Sequence, residues 1–94
     1  TIKEVSSMQR SQGVDVISVC NADGQIRPLR LQLQDEQHQL LRINIDEVVS
    51  VKEITHVGVE AQVFVCRARV WDRPWVLELK YFFRSHTWKL QKIQ

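Results

Sequence analysis

Through the last third of the chain, apolar residues recur at every second position. In residues 62–71, Phe64, Cys66, Ala68 and Val70 alternate with Val63, Val65, Arg67, Arg69 and Trp71. In residues 76–83, Leu77, Leu79, Tyr81 and Phe83 alternate with Val76, Glu78, Lys80 and Phe82. A period of two puts successive side chains on opposite faces of an extended strand, so each segment has one face to bury. Nowhere is an apolar pattern at i, i+3, i+4 and i+7 sustained for three turns, so no amphipathic helix is predicted to cover those faces. The strands must cover one another.

The same pattern constrains how the two segments pair. A loop of Asp72-Arg73-Pro74-Trp75, with Trp71 opposite Val76, sets Val70 beside Leu77, Ala68 beside Leu79, Cys66 beside Tyr81 and Phe64 beside Phe83. Arg69 then faces Glu78 on the outside. A loop one residue shorter would put Ala68 opposite Glu78 and bury a charge, so the alternation selects the first arrangement. A turn at residues 84–87 continues the meander, with Phe83 opposite Trp88 and Tyr81 opposite Leu90.

Upstream, residues 14–20 read as a strand and Asn21-Ala22-Asp23-Gly24 as the turn after it, because Asn, Asp and Gly tolerate the left-handed conformations of tight reversals. In residues 27–34, Leu29, Leu31 and Leu33 are predicted to face inward, with Pro28 at the strand's start or on an edge. The polar residues 35–39 turn the chain and set Leu33 opposite Leu41, after which Leu41, Ile43 and Ile45 alternate with Arg42, Asn44 and Asp46. Residues 48–59 are β-branched but interrupted by charges and by Gly58, which predicts a strand with a bulge or corner running on from the one before. The expected fold is all-β: a single small curled antiparallel barrel or meander of about six strands, with little or no helix. Residues 1–13 are expected to form a loose N-terminal arm, and residues 14–94 the barrel domain.

With 94 residues, one core is the expectation, and 44% hydrophobic against 26% charged residues excludes a disordered chain. The apolar runs are a few residues long, far short of the ~20 that cross a bilayer as a helix, and a cytoplasmic location is expected. Cys20 and Cys66 both fall in strand-like apolar runs, where buried, unreactive thiols are expected. Charge is unevenly placed. Residues 1–65 hold six Lys and Arg against nine Asp and Glu, whereas residues 66–94 hold seven against two.

Asp23-Gly24-Gln25-Ile26-Arg27-Pro28-Leu29-Arg30, preceded by Asp15-Val16-Ile17 and followed by Ile45-Asp46-Glu47-Val48, an aromatic strand and Trp88, resembles a family of short uncharacterised all-β proteins of Gram-positive bacteria. That family is built around an Asp-Gly-x-Ile-x-Pro-Leu-Arg hairpin, and the likeness spans roughly residues 14–90, a single-domain length. The resemblance implies a small β domain and implies no activity. In the motif, Gly supplies the reversal, Pro a fixed φ and Leu an inner-face side chain.

No chemistry-bearing constellation emerges. Two cysteines 46 positions apart and the scattered His38, His56 and His86 lack the paired spacing of a zinc site. A Gly-rich phosphate loop, a G-x-S-x-G elbow and an H-E-x-x-H helix are all absent, so neither enzyme nor cofactor is predicted. A thiol-dependent enzyme is the remote alternative. The remaining feature is the outer face of the C-terminal meander, where Arg67, Arg69, Trp71, Lys80, Phe82, Arg84 and Lys89 gather around a single acid, Glu78. The leading expectation is a non-enzymatic binding module whose basic and aromatic face contacts a protein partner or a second copy of the chain. The alternative is single-stranded nucleic acid, with phosphates on the Lys and Arg groups and bases stacked on the aromatics. The bland reading of the same face is ordinary solvated charge, since exposed strand faces carry Lys and Arg as a rule.

Overall fold

The alternating segments become strands almost throughout the part of the chain that the computed structural model describes, residues 12–34, 37–56 and 58–94. They are β1 (Gln12–Cys20), β2 (Ile26–Gln34), β3 (Leu40–His56), β4 (Val59–Val70), β5 (Arg73–Phe82) and β6 (Thr87–Ile93), and no helix occurs among the described residues. Each strand pairs antiparallel with the next, and β6 returns to β1, so the sheet closes into a barrel as the pattern predicted. Closure removes sheet edges that would otherwise expose unpaired backbone groups. Of the expected arm, residues 1–11 lie outside the described residues. Gln12 and Gly13 belong to β1 instead, opposite Leu90 and Lys89.

One long strand makes the closure feasible. The first residues of β3 pair with β2, from Gln34↔Leu40 to Arg30↔Asn44, and the rest pair with β4, from Ile45↔Ala68 to His56↔Val59. Near the start of the β3–β4 ladder the register shifts twice, leaving Asp46 and Val49 as extra residues with no partner on β4. Such bulges bend and twist a strand, which carries β3 from one side of the barrel to the other. The expected corner is therefore present and Leu33 does face Leu41, but Gly58 is not part of it. Gly58, at φ 77°, lies between the end of β3 and the start of β4.

The core contains Leu31, Leu33, Ile43, Phe64, Cys66, Ala68, Leu77, Leu79, Tyr81, Trp88, Leu90 and Ile93, so the inward faces of β4 and β5 are those the alternation assigned. Trp88 lies at its aromatic centre, 5.5 Å from the Phe64 ring and 4.8 Å from Tyr81. The partners across the ladders differ from those expected. Phe64 faces Leu79, Cys66 faces Leu77, Ala68 faces Trp75 and Val70 faces Arg73, so Arg69 meets Pro74 and not Glu78. The β4–β5 loop is only Trp71-Asp72, both at positive φ (50° and 61°), the backbone of a type I′ reversal. Neither residue is the Asn or Gly that normally announces such a turn, while Pro74 suggests a longer loop.

Pro74 is nevertheless tolerated inside β5. The exchange of bonds between Val76 and Gln94 is the last link from β5 toward β6, so Pro74 sits beyond its neighbour's end and needs no N–H on that side. The next reversal is displaced too: Tyr81 faces Trp88 and Leu79 faces Leu90, with the turn at residues 83–86. Tyr81 Oη lies 3.0 Å from His86 Nδ1 and pins that turn, whose His86 has φ 56°.

Pro28 and Leu29 exchange the roles expected of them. Ile17 faces Arg30 and Ser18 faces Pro28, which leaves Leu29 bulged out of β2. The bulge resets the alternation, burying Pro28 fully and leaving Leu29 40% exposed. The turn before it matches expectation: Asn21 Oδ1 accepts the N–H groups of Asp23 and Gln25 at 3.0 and 2.9 Å, and Gly24 takes φ 82°.

Two stability measurements test these assignments. Leu29→Ser is expected to change the unfolding free energy by no more than about 0.5 kcal/mol, whereas Leu31→Ala should cost about 2–5 kcal/mol in chemical denaturation. Asp72→Gly relieves a left-handed non-glycine residue and is expected to raise stability by roughly 0.5–1 kcal/mol, seen as a higher denaturation midpoint at unchanged slope.

Candidate functional site

On β4 the odd-numbered residues, and on β5 the even-numbered ones, point away from the core, and the ladders line them up in rows across the barrel wall. One row reads Lys52, Val63, Lys80 and Lys89, on four consecutive strands. The row on one side is Ile54, Ala61, Phe82 and Thr87; the row on the other is Ser50, Val65, Glu78 and Lys92. Three ammonium groups thus share a row that contains no carboxylate. Lys80 and Lys89 stand directly opposite each other, an arrangement that opposes pairing through like-charge repulsion.

Phe82 offsets part of that repulsion. The Nζ of Lys80 lies 5.1 Å from the centre of its ring and that of Lys89 5.6 Å, so both cations use its negative π face. Contacts of this kind contribute about 0.5–1 kcal/mol each at exposed sites. Phe82 is half-buried under these groups, and its ring is not an open stacking platform.

The remaining members of the face lie at the other end of the wall. Arg67 approaches Glu47 at 3.6 Å, with both side chains well exposed, so the pair contributes little to stability and only partly occupies the guanidinium. Arg69 is exposed opposite Pro74, and Trp71 projects from the two-residue turn with 49% of its surface open. Arg73, although exposed, pairs with the core residue Val70 and so lies in the inner-face register, not on this wall. From the Lys row to Arg69 is six residues of β4, about 20 Å at the rise of a strand. The seven residues singled out in the sequence therefore divide into two groups: Lys80, Phe82 and Lys89, with Arg84 exposed in the following turn, and Arg67, Arg69 and Trp71.

Lys52 completes the first of these groups and escaped sequence reasoning. The two bulges of β3 each shift its register against β4 by one residue, and only their sum places Lys52 opposite Val63. Lys92 was likewise hidden, because Gln91 is an extra residue between the Leu79↔Leu90 and Glu78↔Lys92 pairs. For Lys92 the signal in the sequence was the surplus of cations after residue 65; Lys52 lies in the acidic part of the chain and had none.

The cysteines differ from expectation in one respect. Cys66 is fully buried in the core, and burial pushes its thiol from an ordinary 9.0 up to about 11. It is a neutral core side chain, not a nucleophile. Cys20 is exposed, because the end of the β1–β2 hairpin runs past the core. Neither cysteine is in a disulfide. Among the described residues no group of three His, Cys, Asp or Glu side chains is placed to hold a metal ion, and no helix is long and apolar enough to cross a membrane.

No family model, curated protein or solved structure matches the chain.

The raised thiol pKa has a consequence for stability. In the unfolded chain the thiol ionises near 9.0 and in the folded one near 11, so the folded state holds its proton longer. This contribution is fully present below pH 9 and is lost as pH rises toward 11, by roughly 2–3 kcal/mol for a shift of about two units. Denaturation midpoints measured from pH 8 to 11 should fall in the wild type and fall less in Cys66→Ala. Thiol labelling of the native protein should modify Cys20 alone.

Proposed function

We propose that this chain is a non-catalytic binding module and that the partner held on its outer wall is single-stranded nucleic acid. The observation that carries the reading is the row Lys52, Lys80 and Lys89, three cations aligned across the barrel without an interleaved carboxylate. A polyanion laid along the row would relieve the repulsion between Lys80 and Lys89 and release its own condensed counterions. At the other end of the wall, Trp71, in the turn two residues past Arg69, offers an open aromatic face on which an unpaired base can stack. Paired bases would not present a free ring to Trp71, which favours single strands over duplex.

Contact with a protein partner or a second copy through this same face would require an apolar centre. Phe82 was the candidate for it, and two ammonium groups cover its ring. The geometry therefore favours the anionic partner. The outer wall is also chemically quiet: its acids, Glu47 and Glu78, stand opposite Arg67 and Lys92.

Fluorescence anisotropy with a labelled single-stranded homopolymer tests the reading. The logarithm of the binding constant should fall with the logarithm of salt concentration at a slope of about −2, near 0.7 for each of three phosphates neutralised. Lys80→Ala should lower the magnitude of that slope by about 0.7, whereas Trp71→Ala should cost about 1–3 kcal/mol and leave the slope unchanged. Arg67→Ala should have a smaller effect than Lys80→Ala, because Glu47 already engages that guanidinium. Absence of binding at roughly 50 mM salt would refute the proposal. Equal affinity for a polyglutamate of matched charge would replace it with a generic anion-binding face.

A further inference from the structure

The barrel is closed, but its seams are short and leave three lengths of strand without a ladder partner among the described residues. β1 pairs with β6 only at Gln12, Gly13 and Val14, so residues 15–20 have β2 on one side and no strand on the other. β2 pairs with β3 only from Arg30 onward, which frees one side of residues 26–29, and the same splitting frees one side of β3 from Ile45 to its end. Backbone groups on a free side are a template for another strand, and folded proteins usually obstruct such edges with charge, proline or bulges.

Two of the three edges are obstructed. The free side of β2 carries Arg27 and Pro28, and that of β3 carries Asp46, Glu47, Lys52 and Glu53 together with its two bulges. The β1 edge is not. Past the single charge at its start, Asp15, the residues Val16, Ile17, Ser18, Val19 and Cys20 contain no charge, no proline and no glycine, three of the five are β-branched aliphatics, and the extra residue of the β1–β2 ladder lies on β2. Ile17 and Val19 are 56% and 40% exposed. Beside this edge, where β1 leaves β6, a cleft of about 600 Å³ opens, with Tyr81 and Trp88 among its walls.

We infer that the free edge of β1 pairs with the same edge of a second copy, giving a two-fold dimer through one continuous antiparallel ladder. The side-chain pattern selects the register. In a two-fold pairing centred on Ser18, each Ile17 lies beside Val19 of the second copy, each Val16 beside its Cys20, and the two Ser18 residues face each other on the axis. Both exposed aliphatics are then covered twice over, and Asp15 falls outside the apolar matches. Centring the pair on Ile17 would instead set Asp15 beside Val19 and leave the carboxylate against an apolar side chain. On the inner side, the small side chains of Val16, Ser18 and Cys20 from the second copy enter the cleft against Tyr81 and Trp88. A single strand per copy falls at or below the low end of specific interfaces, about 1,200 Å² in total, so the dimer forms reversibly as concentration rises. The contact is separate from the basic wall on β3 to β6 and does not depend on any ligand held there.

Sedimentation equilibrium of the full chain across a range from low micromolar to millimolar protein tests the inference. The mass should rise with concentration from 11.1 kDa toward twice that value. Ile17→Lys and, independently, Val19→Lys should each remain monomeric at every concentration while keeping the wild-type circular dichroism. The register has its own readout. In a Cys20→Ala background, Ser18→Cys should form an intermolecular disulfide with oxidised glutathione, because residues directly opposite in an antiparallel ladder have the Cα spacing that a disulfide spans. Asp15→Cys in the same background should not. A wild type that stays monomeric at millimolar concentration overturns the inference, as does dimerisation that survives both lysine variants. Dissociation by Phe82→Glu but not by Ile17→Lys would move the contact to the basic wall and also overturn it. Failure of Ser18→Cys to cross-link would overturn the register.

Discussion

The bend in β3 is the constraint on which the rest of the barrel depends. Seventeen residues of continuous strand would run well past any neighbour in a flat sheet, so β3 must serve two partners in turn, β2 through its first residues and β4 through the remainder. Bulges at Asp46 and Val49 let it do so without ending the strand, and the turn in direction brings β4, β5 and β6 round to β1. The cost appears at the seams. Because β3 leaves β2 at Asn44 and β6 reaches β1 only as far as Val14, the far end of the β1–β2 hairpin has no strand partner beyond its own ladder and meets the core only through inward side chains such as Val16, Ile26 and Pro28. The exposure of Ile17, Val19, Cys20 and Leu29 follows from that geometry more than from any property of those residues.

The sequence showed faces far better than it showed partners, for a reason that lies in strand periodicity. Between the expected and observed pairings of β4 with β5, Phe64 moves from Phe83 to Leu79; between those of β5 with β6, Tyr81 moves from Leu90 to Trp88. Both displacements are even, and an even displacement leaves every side chain on its original face. The core could therefore be identified on β4 and β5 while the ion pair expected between Arg69 and Glu78 was misplaced. What hid the true register was turn chemistry. Trp71 and Asp72 adopt left-handed conformations without Asn or Gly to signal them, and Pro74 sits in a strand that is an edge only locally because β6 has ended. Bulges produce the opposite error, an odd displacement that exchanges inside for outside. Leu29 was lost in that way, and no local feature of a leucine between Pro28 and Arg30 announces it.

The same distinction governs the basic wall. Arg67, Arg69, Lys80, Phe82 and Lys89 share an outer surface because parity alone guarantees it, but how far apart they stand depends on register, and register separates them into two groups. Lys52 takes its place opposite Val63 only once both bulges in β3 have been counted, and it converts a pair of lysines into a row spanning four strands. Phe82 changes meaning as well. As an outward aromatic it suggested a stacking platform or an apolar contact, whereas beneath two ammonium groups it serves to hold like charges near each other.

Keeping Lys80 and Lys89 together through an aromatic ring, when one glutamate in the row would neutralise them, leaves the row's charge available to something outside the chain. The contrast with the neighbouring rows sharpens the point: Arg67 stands opposite Glu47 and Lys92 opposite Glu78, so the same wall places acids across from cations in two rows and none in the third. A barrel that carries its positive charge in such a row and its exposed aliphatics on a separate, unobstructed strand edge has two surfaces of different chemistry. On the two proposals, a long-range, salt-sensitive attraction would act at the first, and short-range backbone pairing with dry side-chain contact at the second. Because the core of β4, β5 and β6 lies between them, each surface can be altered by substitution without disturbing the other.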